Sequence, residues 1–401
     1  MEALALPIGR MRRLGVAAGL ASLGMAQAAL GDTADWTLAP YQAFPGNAQL
    51  EIGGEAGGTL LANNQPSQPG VTGFARLTPR LHRDYDTGLV LGLSGSFLAG
   101  DALSKGRYGG DVLEKLYGEA RTGLGRLEIG QTDGAAYDLA VTGPKIDAAV
   151  SLDNPQSLLF ADPVSGRPVA DNFALRTEVG ASANSAKIAY VSPSVFGAQL
   201  ALSFAPGQGK EILPFLHAGP HVAGRQADIW EIGLQYSDDV GPVTLTGYAG
   251  AAEGRAEHKL PGQEGVSDLG AGLKADYPLN DNVGLSAGLS FRQSNAHAFD
   301  ITQSWQAGVT RALHASAALT DGAFSVGVEY GDGEAQKVAT LPRLTQTGYQ
   351  VSGAYALSNS IRISAGWQHW NYARSSGTFF GAAPRLRLDG GFLHLNLKTN
   401  P

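Results

Sequence analysis

The sequence of 401 residues contains no cysteine. This absence excludes disulfide frameworks, thiolate metal sites and a cysteine nucleophile. Positive charge is also scarce, because 29 lysines and arginines stand against 36 aspartates and glutamates, which gives a formal net charge of −7. Such a chain has no bulk attraction to nucleic acid, so we expect no nucleic-acid partner.

Long apolar runs are missing as well. Beyond the N-terminal segment no run of eighteen apolar residues occurs, so helical membrane spans are not expected. The N-terminal segment has arginines within residues 10–13, an apolar stretch at 14–25 and the sequence Ala-Gln-Ala at 26–28. These three parts predict a cleaved signal peptide at residues 1–28, with Met11 as an alternative start. The apolar stretch is shorter than the ~20 residues that a spanning helix needs.

Alternation of apolar and polar residues recurs through the remaining chain. In residues 73–84 (GFARLTPRLHRD) leucine and alanine alternate with arginine, threonine and histidine, and residues 283–292 repeat the pattern. A period of two is typical of a β-strand with one apolar face. The sixteen predicted strands are residues 48–56, 73–83, 87–99, 112–122, 126–131, 185–192, 197–205, 226–237, 241–251, 267–277, 281–293, 303–313, 322–331, 345–357, 361–372 and 385–398.

The connections between these strands alternate between short turns and long loops. That rhythm is typical of an up-and-down barrel that crosses a bilayer, with short turns on one side and long loops on the other. Sixteen strands close into a ring too wide for side chains to fill, so the charged face would line water and the leucines would meet lipid. Aromatic residues on the apolar face would form an interfacial girdle: Tyr190, Trp230, Tyr236, Tyr277, Tyr330, Tyr349 and Trp367.

Residues 116–138 (LYGEARTGLGRLEIGQTDGAAYD) carry a family resemblance. The Tyr-Gly that opens one strand and the segment GRLEIGQ that forms the next resemble Gram-negative general diffusion porins. The resemblance implies an all-β fold, a sixteen-stranded antiparallel transmembrane β-barrel in the outer membrane, which assembles as a homotrimer and has no cofactor. It also implies that the third long loop folds back inside the barrel to narrow it.

The third long loop, residues 132–184, is the longest connection between the predicted strands. Loops of that length in a compact domain are usually functional or disordered, and its apolar residues disfavour disorder. We expect its carboxylates to face cations of the barrel wall across a constriction, which would filter ions by charge. The acidic loop residues are Asp133, Asp138, Asp147 and Asp153, and the basic wall residues are Arg76, Arg80, His82, Lys115, Arg126 and Lys187.

Passive diffusion of ions and small hydrophilic solutes through this pore is the predicted function. The main alternative is a channel selective for an anionic or sugar-like solute, with the cations of the second predicted strand as its contacts. An enzyme is disfavoured, and the zinc-protease motif H-E-x-x-H does not occur. A soluble adhesin of stacked strands is disfavoured because its cationic strand faces would need burial.

Two local features give further expectations. A shift in apolar parity across Gly390 and Gly391 suggests a β-bulge in the last strand. Small residues on the apolar face of the early strands suit a close protein contact, so we expect the trimer interface there. These small residues are Gly54, Ala56, Ala75, Gly118 and Ala120.

Overall fold

We describe the fold from a computed structural model of the chain. The structure describes residues 41–44, 48–64, 70–100, 113–153, 175–208, 226–257, 259, 261–295, 308–336, 342–377 and 384–399. The predicted signal peptide at residues 1–28 and part of the long loop, residues 154–174, lie outside the described residues. The barrel belongs to the compact unit that begins at Trp36.

In the residues that the structure describes, seventeen strands make up one antiparallel sheet. Their bounds are β1 Tyr41–Phe44, β2 Ala48–Asn63, β3 Val71–Asp84, β4 Val90–Gly100, β5 Leu113–Thr122, β6 Gly125–Gln131, β7 Ala186–Val191, β8 Ala198–Gly207, β9 Gln226–Val240, β10 Val243–Ala256, β11 Ser267–Pro278, β12 Val283–Ser294, β13 Val309–Asp321, β14 Phe324–Gln336, β15 Leu344–Ala356, β16 Ile361–Arg374 and β17 Arg385–Thr399.

Each strand from β2 to β17 pairs with the next strand in the chain, and β17 returns to pair with β2. The short strand β1 pairs with the first residues of β2. The strands β2 to β17 therefore close into a barrel of sixteen, as the sequence predicted. The largest difference in bounds is at β13, predicted at 303–313 and observed at Val309–Asp321. Residues 315–318 there are alanine and serine, so the two faces of the strand differ little in size and polarity.

The two faces of the sheet differ as the alternation indicates. Leu273, Leu289 and Val351 have exposed fractions of 54%, 51% and 51%, whereas the intervening Ser290 and Gln350 are buried. In a closed ring the exposed apolar face points outward, so the polar face lines the interior. Six of the seven predicted girdle residues are exposed and Tyr330 is partly exposed, so all seven lie on the outward face.

Helical structure is minor in the described residues. It includes α1, Ala135–Asp138, and a 3₁₀ turn, Ala148–Val150, both in the long loop. No helix in the described part of the chain combines the length and apolarity that crossing a membrane requires.

The predicted bulge at Gly390 and Gly391 was wrong. The register of β17 with β16 runs without interruption from the pair Ile361 and Leu397 to the pair Ala373 and Arg385. The parity shift arises because Leu388 and Phe392 belong to the inner face. They pack in one buried cluster with apolar loop residues, and this makes the inner face locally apolar.

Candidate pore constriction

The outgoing limb of the long loop, residues 132–153, lies against the inner face of the barrel. Near its start, the Tyr248 hydroxyl on β10 donates to the carbonyl of Ala136 at 2.5 Å. Near its far end, the Gln368 amide on β16 donates to the carbonyl of Val150 at 2.6 Å. The limb therefore passes from β10 to β16 along the interior wall.

The return limb, residues 175–185, lies along the same strands. The hydroxyls of Thr177 and Ser290 on β12 are 2.7 Å apart, and the backbone N–H of Ser182 donates to Glu231 Oε1 on β9 at 2.8 Å. The described loop residues thus cover the wall from β8 to β16. We call this the covered wall, and we call β3–β5, on the other side of the opening, the open wall.

Glu329 on β14 attaches the far end of the loop to the covered wall. Its carboxylate accepts hydrogen bonds from Ser151 Oγ at 2.6 Å, Leu152 N at 3.2 Å and Gln350 Nε2 at 2.9 Å. His314 Nε2 lies 3.2 Å from Glu329 Oε2. All these groups are buried, so the attachment is a hydrogen-bonded network shielded from water.

Asp147 and Asp153, two of the predicted constriction residues, are buried near this attachment. Asp147 accepts from Ala149 N at 3.0 Å and from the Ser364 hydroxyl. Asp153 Oδ2 lies 2.8 Å from Lys145 Nζ. Burial alone would raise the pKa of Asp153, but the Lys145 ammonium outweighs burial and lowers that pKa to about 2. Both aspartates lie outside the lining of the opening.

One group of possible metal ligands occurs in the described residues. Ligand atoms of Asp153, His314 and Glu329 lie within 4.8 Å of one another. The Lys145 ammonium already pairs with Asp153, and Glu329 already accepts several hydrogen bonds. Because a bound cation would meet that ammonium, the geometry supports an ion-pair network at this position.

Lys187 on β7 joins the two ends of the loop. Its ammonium donates to the carbonyl of Thr132 at 2.7 Å and to the carbonyl of Ala183. Ala183 has φ of 44°, in the left-handed region that non-glycine residues rarely adopt. Lys187 is fully buried, so the structure places this predicted wall cation beneath the loop and outside the lining of the opening.

An opening of about 580 Å³ separates the loop from the open wall. Of the predicted site residues, Arg76, Arg80, Lys115 and Asp133 line it, whereas His82, Arg126 and Asp138 do not. His82 is buried with Nδ1 at 3.8 Å from Glu51. The other charged and aromatic lining residues are Glu51, Glu114, Tyr117, Tyr137 and Arg176.

The cations of the open wall are paired with carboxylates rather than free. Arg76 and Arg80 of β3 each bridge two glutamates, and their side chains are about a third exposed. Such charge-assisted hydrogen bonds fix the position of each guanidinium. The pairs are Arg76 with Glu114 at 2.9 Å and Glu55 at 3.1 Å, and Arg80 with Glu119 at 2.5 Å and Glu51 at 3.6 Å.

Two ion pairs connect the open side of the barrel to the start of the loop. Lys115 on β5 pairs with Asp133, and Arg126 on β6 pairs with Asp138 at 2.5 Å. Burial raises the pKa of Asp138, although Arg126 acts in the opposite direction. The predicted acidic and basic residues therefore meet in pairs at these two points.

Glu114 was missed by the sequence analysis. Ser96 on β4 lies opposite Lys115 on β5. The next residue of β4, Phe97, lies opposite Leu113, so the pairing skips Glu114. Glu114 is thus the extra residue of a β-bulge, and it reaches Arg76 beside its inward neighbour Lys115. A strict period of two assigns Glu114 to the outer face, so alternation alone could not find it.

A Gly-x-Ser-x-Gly sequence occurs at residues 284–288, although the sequence analysis did not identify it. In hydrolases this motif places a serine nucleophile on a sharp turn between a strand and a helix. Here Ser286 lies within the continuous strand β12, and its hydroxyl donates to Asp276 Oδ1 at 2.5 Å. The motif therefore lacks the structural context of a nucleophile.

Comparisons with known proteins agree with this architecture. Residues 15–375 match the family described as Gram-negative porin. None of the curated proteins compared with the chain matches it. The outer membrane channel DcaP of Acinetobacter baumannii has a TM-score of 0.55 at 10% identity, covering 90% of this chain and 100% of that chain.

Two further solved structures have similar scores. The anion-selective porin from Comamonas acidovorans gives a TM-score of 0.53 at 14% identity, over 88% of this chain and 100% of that chain. The trimer form of OmpT of Vibrio cholerae gives 0.54 at 12% identity, over 88% and 99%. These identities show the fold alone. Because the family match spans most of the sequence and the barrel has the same fold, the chain belongs to the Gram-negative porin family of outer-membrane barrels.

Proposed function

We propose that the protein is a water-filled channel for passive diffusion of ions and small hydrophilic solutes. The observation that carries the proposal is the opening of about 580 Å³ inside a closed barrel, with charged side chains on both of its sides. A polar interior of that kind solvates ions, whereas the exposed leucines outside match lipid.

We further propose that residues 132–184 form the constriction of this channel. Asp133 on the loop side and the arginines of β3 on the open wall would create a transverse field across the opening. Such a field orients polar solutes and selects ions by charge. Of the predicted constriction residues, Arg76, Arg80, Lys115 and Asp133 are those that the geometry favours.

A preference for anions is the second candidate, and the charge of the lining favours it. Four cations, Arg76, Arg80, Lys115 and Arg176, line the opening among the described residues. Three carboxylates, Glu51, Glu114 and Asp133, line it as well, so the lining has an excess of one positive charge. Because most of these charges are paired, we expect the preference to be weak.

Recording of single channels in a planar lipid bilayer tests both candidates. Stepwise current increments after addition of the purified barrel would support a channel, and a reversal potential under a salt gradient would give the sign of its selectivity. A folded barrel that inserts into the bilayer and carries no current would contradict the proposal. A reversal potential of cation-selective sign would contradict only the anion preference.

We also propose export through a cleaved signal peptide at residues 1–28 and assembly as a homotrimer. An apolar groove on the outer face, lined in part by Gly54, Ala56, Ala75 and Phe97, supports a protein contact at β2–β4. Unboiled electrophoresis and light scattering in detergent test the assembly. A particle with the mass of a single exported chain, corrected for detergent, would contradict the trimer.

A further inference from the structure

Glycines of the inner face lie directly beneath the outgoing limb of the loop. An ideal Cβ atom at Gly272 on β11 would lie 1.8 Å from the carbonyl oxygen of Val141. At Gly288 on β12 it would lie 2.5 Å from the Cα of Gly143. Both distances are far shorter than van der Waals contact between carbon and its neighbours, so the backbones meet where no side chain intervenes.

The return limb lies on glycines in the same way. A Cβ at Gly270 on β11 would lie 2.8 Å from Val179 Cγ2, and one at Gly331 on β14 would lie 2.8 Å from Leu175 Cδ1. The outgoing limb makes three more such contacts, between Gly233 and Ala135 O at 2.7 Å, between Gly327 and Ile146 Cγ1 at 2.7 Å, and between Gly348 and Leu152 Cδ2 at 3.2 Å.

We call these seven residues the glycine bed: Gly233, Gly270, Gly272, Gly288, Gly327, Gly331 and Gly348. They belong to β9, β11, β12, β14 and β15, which the hydrogen-bond ladder of the barrel holds in place. A side chain added to the bed therefore cannot move the wall as easily as the loop. Residues of both limbs of the loop, among them Tyr137 and Arg176, line the opening, so we expect a loop displaced from the bed to move into that space.

We propose that the glycine bed sets the width of the pore. Because these residues lack side chains, the loop lies flat on the covered wall and leaves the space in front of the open wall to solutes. This inference rests on the proposed function, since it assigns to the bed the dimension of the same constriction. It places a determinant of pore size on residues that do not touch the solute.

Alanine substitutions in the bed test the proposal. We expect Gly272→Ala and Gly288→Ala, made separately, to lower single-channel conductance by about twofold. In liposome swelling, the largest neutral sugar that passes each variant should be smaller than the largest that passes the wild-type pore. The matched control is Gly284→Ala on the same strand β12, where a new Cβ has no atom within 4 Å. Its conductance should equal that of the wild-type protein.

A second pair of variants serves if those barrels do not fold. At Gly270 the nearest atom is a terminal methyl of the Val179 side chain rather than backbone, and the next is Thr177 O at 3.3 Å. Gly270→Ala should therefore fold and reduce conductance by a smaller factor. Val179→Ala removes the obstructing atom, so the double variant should return toward wild-type conductance. The shift in mobility between boiled and unboiled samples on a gel verifies that each barrel has folded.

The outcomes are distinguishable. Reduced conductance in the bed variants, with recovery in the double variant and no change in Gly284→Ala, supports the proposal. Conductance equal to the control, or higher than wild type, in folded bed variants would overturn it while leaving the channel function intact. A wild-type barrel that inserts and carries no current would overturn the proposed function itself.

Discussion

The covered wall and the open wall have the same alternating pattern but different chemistry. On the covered wall Ser290, Gln350 and Gln368 are buried, and each makes a hydrogen bond to the loop or to a neighbouring side chain. On the open wall the side chains of Arg76 and Arg80 are 31% and 29% exposed, and both face the opening. Inward orientation in a wide barrel therefore does not by itself mean contact with water.

The difference also concerns what each wall stabilises. Buried polar groups need partners, since leaving one unpaired costs about 1–3 kcal/mol. Ser290 and Gln368 of the covered wall obtain such partners from the loop, so loop and wall stabilise each other there. The ion pairs of the open wall are partly hydrated, so each contributes less to folding and more to the field in the opening.

We expect the largest effect from Glu329→Ala, which disturbs the attachment of the loop to the covered wall. It removes the acceptor of Leu152 N and one of the two acceptors of Ser151 Oγ and of Gln350 Nε2, and a buried donor left unpaired costs about 1–3 kcal/mol. We expect the loop to detach, so that proteases cleave it within an intact barrel and conductance rises. Glu55→Ala, on the open side, is the control and should leave the loop resistant. Equal resistance in both variants would show that Glu329 does not hold the loop.

Replacement of Lys187 by methionine tests the two walls with one type of residue. Lys187→Met deprives the carbonyls of Thr132 and Ala183 of their donor, so we expect faster proteolysis at the two ends of the loop and a loss of about 2 kcal/mol in stability. The matched variant Lys115→Met, at the opening, should change ion selectivity more than loop resistance. If both variants change the same property to the same extent, the two lysines do not differ in role as we predict.

Substitutions of Arg76 and Arg80 on β3 test the role of the open wall in ion selectivity. Arg76→Gln and Arg80→Gln remove positive charge and leave their glutamate partners uncompensated. We expect the reversal potential to shift toward cation selectivity, with a change of about twofold in the permeability ratio for each variant. Arg255→Gln, at an exposed pair with Asp228 away from the opening, is the control. An unchanged reversal potential would remove the arginines from the constriction.

We expect the smallest effect from the ion pair between Asp153 and Lys145, which should withstand mild acid. The pKa of Asp153 is lowered to about 2 from an ordinary value of about 3.9, so its pair with Lys145 contributes fully above the ordinary pKa. That contribution is lost only as pH falls through about 2. Replacement by asparagine removes it at every pH. We therefore expect a small increase in loop proteolysis for Asp153→Asn at pH 7, and no loss of the pair in the wild-type protein between pH 7 and pH 4.

Acid-stable proteases provide the measurement for this last prediction. The difference in cleavage rate between wild type and Asp153→Asn should be the same at pH 7 and pH 4. A difference that disappears by pH 4 would mean that the carboxylate has been protonated, and that Lys145 does not lower its pKa as the structure indicates.

Much of the fold could be predicted from the sequence, because a barrel in a membrane repeats one signal many times. Each of the sixteen predicted strands overlaps a strand of the ring, and β9, predicted at 226–237, begins at the predicted residue. The predicted strand bounds and bulge were wrong where the two faces of a strand differ little in polarity. The small residues of β13 and the inward Leu388 and Phe392 of β17 are the examples.

Less of the candidate site could be predicted. Parity correctly assigned Arg76 and Arg80 to the interior, since mid-strand charge is costly against lipid. It could not distinguish Lys187, which lies beneath the loop, from Lys115, which lies at the opening. That distinction depends on where the loop lies, which is a tertiary property. The local bulge that turns Glu114 inward likewise leaves no trace in a regular alternation.

The pairing of β17 with β2 has a consequence for incomplete chains. It joins residues far apart in sequence, as in the 2.7 Å contact between Thr59 Oγ1 and His394 Nδ1. A polypeptide that stopped before residue 385 would leave β2 and β16 as unpaired edges, and such edges are templates for aggregation. We therefore expect chains that lack β17 to aggregate more readily than the closed barrel.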